Sequence, residues 1–248
     1  MNRIELLALT GIPRIAPGDD LARLVWEAAQ KDGIALADGV LVICQKVVSK
    51  AEGRLIELAG VVPSAEAQRL AAEDGKDPRH IEVVLRESAR VVKRGHRVLI
   101  CETRHGFVCA NAGVDLSNAP GADVAVLLPD DPDASARRLR DALRARGAGP
   151  LAVVISDTFG RPWREGLVDV ALGSSGIAPL LDLRGKLDMV GRPLEVTTLA
   201  TADQIAAAAG LMMTKDAGLP VVFVRGIPLV GDGSVKALLR DPKTDLFR

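Results

Sequence analysis

Three short runs of consecutive apolar residues constrain the fold of this chain more than any other feature. They are Val40–Cys44, Leu151–Ile155 and Val221–Val224. Runs of this length, rich in β-branched residues, are typical of strands that are buried on both faces of a sheet. Helical patterns alternate with them, over residues 21–32, 134–146 and 202–213. The sequence therefore predicts a mixed α/β (α+β) protein with about eight strands.

The composition excludes several classes of protein. Hydrophobic residues make up 48% of the chain and charged residues 26%, and Lys+Arg equals Asp+Glu at 32 each. This balance gives no bulk attraction to nucleic acid or to an anionic membrane. The three cysteines form no Cys-x-x-Cys pair, so we expect buried thiols in a reducing compartment. No apolar run approaches the roughly 18 residues of a membrane span, and we expect a cytoplasmic protein.

The domain organisation is less constrained by the sequence. A chain of 248 residues can form one large domain or two interleaved lobes. We find no internal repeat, low-complexity tract or obvious linker, so we expect residues 1–248 to form a single unit without a C-terminal flavin domain.

A carboxylate and a hydroxyl follow one of the buried strands. Asp157 and Thr158 come directly after the apolar run that ends at Ile155. Ligands of α/β proteins gather beyond the carboxyl ends of strands. These two side chains, followed by Arg161 and Arg164, suit a hard divalent cation and anionic oxygens. The alternative is that Asp157 and Thr158 cap a helix or a turn.

The segment 102–118 is the densest mixture of small, polar and charged residues in the chain. It supplies a cation at Arg104, an imidazole at His105, a carboxylate at Asp115 and an amide at Asn118. A plain connector would be shorter and simpler, so this segment is a candidate site. The alternative is that Asp115 and Asn118 form an Asx turn that caps its own backbone.

A third candidate segment is the run Val40–Lys50. Its pattern predicts a β-branched strand that is interrupted by Gln45 and Lys46. Polar groups in or after a buried strand are informative exceptions. Gln45 and Lys50 are in position to reach a nucleotide, although no P-loop pattern is present. The alternative is an edge strand with solvated lysines.

The remaining patterns give further expectations. They predict a helix from His80 to Arg94 and strands over 122–128 and 194–199. His80 and His96 lack the spacing of metal ligands, so we expect surface or capping roles for both. Asp130, Asp131 and Asp133 precede the Arg-rich helix at 134–146 and are expected to be structural.

Three extended strings together resemble the coenzyme F420-0:L-glutamate ligase (F420-0:gamma-glutamyl ligase) family. They are Gln45–Arg54, Glu102–Asn118 and Ser156–Arg164. The resemblance extends from Gly11 to Phe247, and its strings are long, ordered and specific. It implies a GTP-dependent amide ligase that adds L-glutamate, and then commonly further γ-linked glutamates, to the carboxylate of coenzyme F420-0 through an acyl phosphate.

The resemblance also implies a cosubstrate, metal ions and the residues that hold them. The cations are Mg²⁺ or Mn²⁺, as two ions, with K⁺ as a further candidate. The implied metal ligands are Asp115, Asp157 and Thr158. The implied GTP-binding residues are Ile12, Pro13, Arg14, Ile15, Gln45, Lys50, Asn118, Met213, Thr214 and Lys215. A protonated lysine cannot ligate a cation, so Lys215 departs from a family segment that can supply a metal ligand.

No catalytic side chain is assigned, and Arg104, His105 and Arg164 are the candidates. The family fold is implied to be a mixed α/β arrangement of two interwoven lobes, as a homodimer with GTP, L-glutamate and coenzyme F420-0 as partners. Two alternatives stay open: a related ligase with another carboxylate or triphosphate, and a silent nucleotide-binding or deazaflavin-binding protein.

Overall fold

The computed structural model describes residues 3–119, 121 and 123–245. The helices in this part of the chain are α1 (Leu21–Lys31), α2 (Gln45–Ala51), α3 (Ala65–Asp74), α4 (Pro78–Glu87), α5 (Pro132–Ala145) and α6 (Thr201–Gly210). The strands are β1 (Glu5–Ala8), β2 (Gly39–Cys44), β3 (Leu55–Glu57), β4 (Ser88–Gly95), β5 (Val98–Thr103), β6 (Val108–Ala110), β7 (Val124–Val126), β8 (Leu151–Arg161), β9 (Arg164–Ser175), β10 (Leu181–Asp182), β11 (Thr198–Leu199) and β12 (Val221–Arg225).

The three apolar runs lie side by side in one five-stranded sheet. Its strand order is β1-β12-β2-β8-β9, with β2 and β8 parallel and the other neighbours antiparallel. Alternate residues of the central strands point to opposite faces. Leu41, Val153 and Phe223 pack against α1 and α5. Val42 and Val154 pack on the other face against α6, so the sheet is covered on both sides.

A second hydrophobic core is formed by the part of the sequence that connects β2 to β8. Residues 55–127 build it from α3, α4, the antiparallel sheet β4-β5-β6 and the pair β3-β7. Its buried side chains include Ile81, Leu99 and Leu127. The architecture is thus mixed α/β with several sheets, as the sequence predicted, and the chain leaves the main sheet after α2 and returns to it through α5 and β8.

Local chemistry explains where α5 begins and why it approaches β9. Asp131 accepts a hydrogen bond from the backbone N–H of Ala134, and Pro132 occupies the first turn, where it needs no donor. The buried Asp133 accepts hydrogen bonds from Ser174 N and Ser234 Oγ. The structural roles predicted for Asp131 and Asp133 are confirmed, and Asp130 also makes a structural contact, an ion pair with Arg54.

Four expectations are wrong. The strand predicted over Val40–Lys50 ends at Cys44, and residues 45–51 form helix α2. The helix predicted from His80 to Arg94 ends at Glu87, and β4 follows it. Only Thr198–Leu199 of the strand predicted at 194–199 is extended into a ladder. His80 is buried in α4, with 8% of its surface exposed, and is not a surface residue.

Two further features complete the fold. The strand predicted over 122–128 is Val124–Val126, and Ala122 lies outside the described residues. Among the helices of the described part of the chain, none has the length and hydropathy needed to cross a bilayer.

Replacing Gly173 by alanine is expected to destabilise the protein by about 3 kcal/mol, the upper end of the cost of overpacking. A Cβ at this position would lie 2.3 Å from the carbonyl oxygen of Pro132, where α5 packs against β9. Urea denaturation measures the effect. Gly60→Ala is the matched control, because a Cβ there meets no atom within 4 Å. Equal midpoints for the two variants would contradict this packing.

Candidate functional site

A cleft of about 520 Å³ opens at the carboxyl end of β2, beside residues 156–160 of β8. Its walls come from the loop at 12–15, helix α2, the segment 109–118, the β8–β9 hairpin and the segment 213–220. These five stretches are far apart in sequence and meet where β2 ends at Cys44, while the parallel strand β8 continues past Ser156. This is the position at which α/β sheets bind ligands.

Helix α2 places two lysines on the wall of the cleft. Lys46 and Lys50 are four residues apart, so they project from the same helix face. Lys46 Nζ lies 2.6 Å from Asp115 Oδ2 and donates to Ser117 Oγ at 2.8 Å. Lys50 Nζ donates to the backbone carbonyl of Asn118 at 2.6 Å. The two ammonium groups thereby tie α2 to the segment 115–118.

Asp115 forms a turn with its own backbone and also an ion pair with Lys46. The backbone N–H of Ser117 donates to its Oδ1 at 2.7 Å, so the Asx turn considered for this segment is present. Burial opposes ionisation of Asp115, but hydrogen bonds from Lys46 and Ser117 and the charge of Lys46 outweigh it and lower the pKa of the carboxyl group. Asp115 is therefore a carboxylate that also faces the cleft.

Two further carboxylates come from the β8–β9 hairpin. Burial raises the pKa of Asp157 to about 7, and the charges of Asp115 and Asp169 add to this shift. Thr158 pairs with Asp169 across the two strands, and its hydroxyl donates to Asp169 Oδ1 at 2.8 Å. Burial also raises the pKa of Asp169. The cleft thus gathers three acidic side chains, and the charges of Asp115 and Asp169 disfavour the ionisation of Asp157.

Twelve of the residues implied by the resemblance line this one cleft. They are Ile12, Pro13, Arg14, Ile15, Lys50, Asp115, Asn118, Asp157, Thr158, Met213, Thr214 and Lys215. Gln45 does not line the cleft, and only 1% of its surface is exposed. Its amide donates to Ser49 Oγ and to the carbonyl of Leu127, so it joins α2 to the second core.

The three catalytic candidates lie outside the cleft lining. Arg104 is exposed and pairs with Glu87 at 2.6 Å. His105 Nε2 lies 2.9 Å from the carbonyl oxygen of Pro129, and its ring stacks on Phe107. Arg164 is exposed at the start of β9. The structure therefore does not bring these side chains to the carboxylates.

Among the cleft-lining side chains that sequence reasoning missed, four carry polar groups that can bind a ligand by hydrogen bond or charge. They are Lys46, Asn111, Ser156 and Asp169. Lys46 could have been found from its spacing to Lys50 if residues 45–51 had been read as a helix. Asp169 could not have been found from the hairpin turn, since a register shift between Phe159 and Arg161 separates the Arg161–Arg164 pair from the pairing of Asp169 with Thr158. The sequence carries no comparable signal for Ser156.

The oxygen ligands of the cleft fit a hard divalent cation that shares its coordination with a ligand. Within residues 3–119, 121 and 123–245, no three His, Cys, Asp or Glu side chains converge into a closed metal cage. Mg²⁺ at phosphate sites is bound through one or two carboxylates, with phosphate oxygens and water completing the shell. Asp115, Asp157 and Thr158 supply such an open set, and a cation would favour the ionised form of Asp157, which burial and the neighbouring charges disfavour.

The chain is similar over nearly its whole length to several named proteins. The chain is 47% identical to the coenzyme F420:L-glutamate ligase of Methanothermobacter thermautotrophicus, over 99% of both chains. It is 46% identical to the protein of the same name from Methanopyrus kandleri, over 100% of both chains. It is 39% identical to the Methanocaldococcus jannaschii protein of that name, over 100% of this chain and 98% of the relative. Residues 11–226 match the model of the F420-0:gamma-glutamyl ligase family, and the chain belongs to that family.

Proposed function

We propose that this protein is a GTP-dependent ligase that adds L-glutamate to the carboxylate of coenzyme F420-0 in coenzyme F420 biosynthesis. One or more glutamates are added, the later ones γ-linked. The observation that carries the proposal is the cleft itself, in which carboxylates suited to Mg²⁺ or Mn²⁺ face lysines suited to phosphate. The full-length similarity to proteins named coenzyme F420:L-glutamate ligase supports the choice of substrates.

The electrostatics of the lysine wall favour an anionic ligand. Burial lowers the pKa of Lys50, and the positive charges of Lys46 and Arg14 lower it further. Like charges held this close stabilise a bound anion and are stabilised by it. A triphosphate supplies that anion and reaches several cations at once. The loop at 12–15, in which Ile15 is buried and Pro13 and Arg14 are exposed, offers its surface to the rest of the nucleotide.

The acidic side chains of the cleft are proposed to hold the cations. Asp115, Asp157 and Thr158 would bind them, and Asp169 supports Thr158 through its hydrogen bond. Two ions and a further K⁺ are proposed on the resemblance. When bound, divalent cations neutralise the charge on phosphate oxygens as phosphoryl transfer proceeds.

The proposed chemistry has two steps. A carboxylate oxygen of coenzyme F420-0 attacks the γ-phosphorus of GTP, and the bond from that phosphorus to GDP breaks. The glutamate amine then attacks the acyl carbon, and phosphate leaves with the electron pair of the C–O bond. Lys46 and Lys50 contribute by holding phosphate oxygens in place, since such reactions depend chiefly on positioning and charge stabilisation.

Mass spectrometry of the acceptor tests this function. The protein is incubated with GTP, Mn²⁺, L-glutamate and coenzyme F420-0, and a parallel reaction contains ATP in place of GTP. We expect glutamate-sized mass increments that require GTP and are lost with EDTA. An unchanged acceptor in the GTP reaction would overturn the proposal. Equal increments with ATP would overturn the nucleotide assignment.

We also propose that the protein is a homodimer, and residues 181–199 offer a surface for it. This excursion between β10 and β11 exposes Leu187, Met189, Val190 and Val196 at 67%, 104%, 74% and 85% of their surfaces. Apolar residues gathered on one exposed segment mark interaction surfaces.

Met189→Asp is expected to weaken this dimer by at least about tenfold in Kd, since a charge at an apolar contact loses burial and must be desolvated. Sedimentation velocity over a concentration series measures the change. The control is Val62→Asp, which alters an apolar side chain that is 79% exposed elsewhere. A monomeric wild type, or equal dimer affinities for both variants, would contradict the assignment.

A further inference from the structure

The carboxylate of Asp169 lies where the folded chain alone disfavours a negative charge. Asp169 is half-buried and lines the cleft, and it forms no ion pair within the described part of the chain. Its Oδ2 lies beside Gly210, the last residue of α6. The carboxyl end of a helix carries a partial negative charge and repels a carboxylate. Asp157 pairs with Val170, the residue after Asp169, and adds a second acidic group at the same place.

The end of α6 is shaped to admit this carboxylate. A Cβ on Gly210 would lie 2.7 Å from Asp169 Oδ2 and 2.9 Å from its Cγ. Gly210 is not among the glycines with positive φ, so its backbone conformation does not require a glycine. Within a helix, glycine loses more conformational entropy on folding than alanine does. Room for the carboxylate of Asp169 therefore explains the glycine.

The group that this carboxylate contacts is the hydroxyl of Thr158. Thr158 Oγ1 lies 2.8 Å from Asp169 Oδ1, and the two residues are directly paired across β8 and β9. An ionised carboxylate can only accept, so the hydroxyl donates its single hydrogen to Asp169. Both lone pairs of Oγ1 then remain for another partner. Thr158 is exposed and lines the cleft, so a ligand in the cleft can reach its side chain.

We propose that Asp169 is a positioning residue that fixes the Thr158 hydroxyl as an acceptor for a divalent cation. This inference rests on the proposed metal-dependent ligase function, in which Thr158 is a metal ligand. Without Asp169 the hydroxyl can turn its hydrogen toward the cleft, where the O–H dipole repels a cation. With Asp169 in place, the oxygen is aimed before the cation binds, and a bound cation supplies the positive charge that Asp169 lacks in the folded chain.

Three substitutions separate this role from a bond that only joins the two strands. Asp169→Ala removes the acceptor, Asp169→Asn removes the charge and keeps an oxygen that can accept, and Thr158→Val removes the hydroxyl with little change of shape. Asp203→Asn is the matched control, because Asp203 is half-buried, accepts from the backbone N–H of Ala171 in β9 and lies outside the cleft lining.

Three measurements are made on each variant. Electron paramagnetic resonance gives the Kd for Mn²⁺ in the presence of a non-hydrolysable GTP analogue. Calorimetry in EDTA gives the affinity for the analogue alone, and a thermal melt in EDTA gives Tm. None of these readouts depends on turnover.

We expect Asp169→Ala to raise the Kd for Mn²⁺ about tenfold to a hundredfold, the range for a residue that orients a metal ligand. Asp169→Asn should lie between this variant and the wild type. In the Thr158→Val background, Asp169→Ala should change the Kd by no more than about twofold, because no hydroxyl remains to be oriented. Analogue affinity in EDTA, and both binding constants of Asp203→Asn, should stay within about twofold of the wild type.

The Tm of Asp169→Asn in EDTA should rise, since the substitution removes the uncompensated charge and an amide oxygen can still accept from Thr158. A structural bond between the strands predicts the opposite sign. A lower Tm for this variant would therefore overturn the positioning role.

The other possible failures are distinguishable. If the wild type binds no Mn²⁺ beside the analogue, or if Thr158→Val binds it as tightly as the wild type, the proposed metal site fails. If Thr158→Val weakens Mn²⁺ binding and Asp169→Ala does not, the assignment of Asp169 fails. If Asp169→Ala has its full effect in the Thr158→Val background, Asp169 acts independently of the hydroxyl, and the positioning role is overturned.

Discussion

Asp157→Asn is expected to lower glutamate ligation by about a hundredfold to a thousandfold while the chain stays folded. Asp157 lies in β8, directly after the last residue that pairs with β2, with Asp115 and Asp169 as charged neighbours, and it is a proposed ligand of the divalent cation. The amide keeps the size of the side chain and removes the negative charge. Ligation is measured by acceptor mass, and Mn²⁺ binding by calorimetry in the presence of a GTP analogue.

The same substitution is expected to stabilise the protein in EDTA. Burial raises the pKa of Asp157 to about 7 from an ordinary value of 3.8, so the unfolded chain ionises this carboxyl group at lower pH than the native chain does. The resulting destabilisation of the wild type grows between pH 4 and 7 and is complete above pH 7. The Tm advantage of Asp157→Asn should therefore increase over that interval and level off.

Asp38→Asn is the matched control for both effects. Asp38 is an exposed carboxylate immediately before β2, at the end of that strand opposite to the cleft, and asparagine tolerates its φ of 53°. Wild-type-like ligation by Asp157→Asn would refute the metal assignment. A Tm advantage that does not change with pH would refute the burial of an ionised carboxylate.

Lys50→Met is expected to raise the Kd for GTP about tenfold to a hundredfold, the range for a lost hydrogen bond between charged groups. Methionine retains the length of the aliphatic stem and its packing on α2 but cannot donate to phosphate. Calorimetry with a non-hydrolysable GTP analogue measures the affinity. Because the lost contact is ionic, the difference between wild type and variant should shrink as salt concentration rises.

Lys93→Met is the control for this change. Lys93 is an exposed residue of β4, a strand that helps to build the second core. Lys50→Arg keeps the charge and should retain an intermediate affinity, because a planar guanidinium does not reproduce the position of an ammonium. Equal affinities for Lys50→Met and wild type would remove Lys50 from the proposed nucleotide site.

The central sheet could be predicted from the sequence because the physical signal is local. Val40–Cys44 and Val221–Val224 are continuous apolar runs, and both are buried strands. The boundary after Cys44 could not be predicted in the same way. Val47 and Val48 favour strand, and only the fold shows that Val48 packs into the core from a helix whose Gln45 bonds to Leu127.

In the candidate site too, some residues could be predicted from the sequence and others could not. Asp115 and Asp157 stand out in the sequence because they interrupt or follow apolar patterns. Asp169 does not, because its place in the cleft depends on the register of β9 against β8, which involves pairing over a distance. Asn111 is hidden for a different reason: an unpaired oxygen is a property of packing, and no residue pattern reveals it.

The β8–β9 hairpin carries a gradient of local stability. Residues 151–156 and 171–175 are buried in the main sheet, whereas the part of the hairpin from Thr158 to Leu167 is exposed or only partly covered. Amide hydrogens of the inner part exchange only with global unfolding, and those of the outer part exchange through local opening. Asp157 lies at the boundary. The outer hairpin can therefore accumulate substitutions that change how the cleft opens while the free energy of global unfolding stays the same.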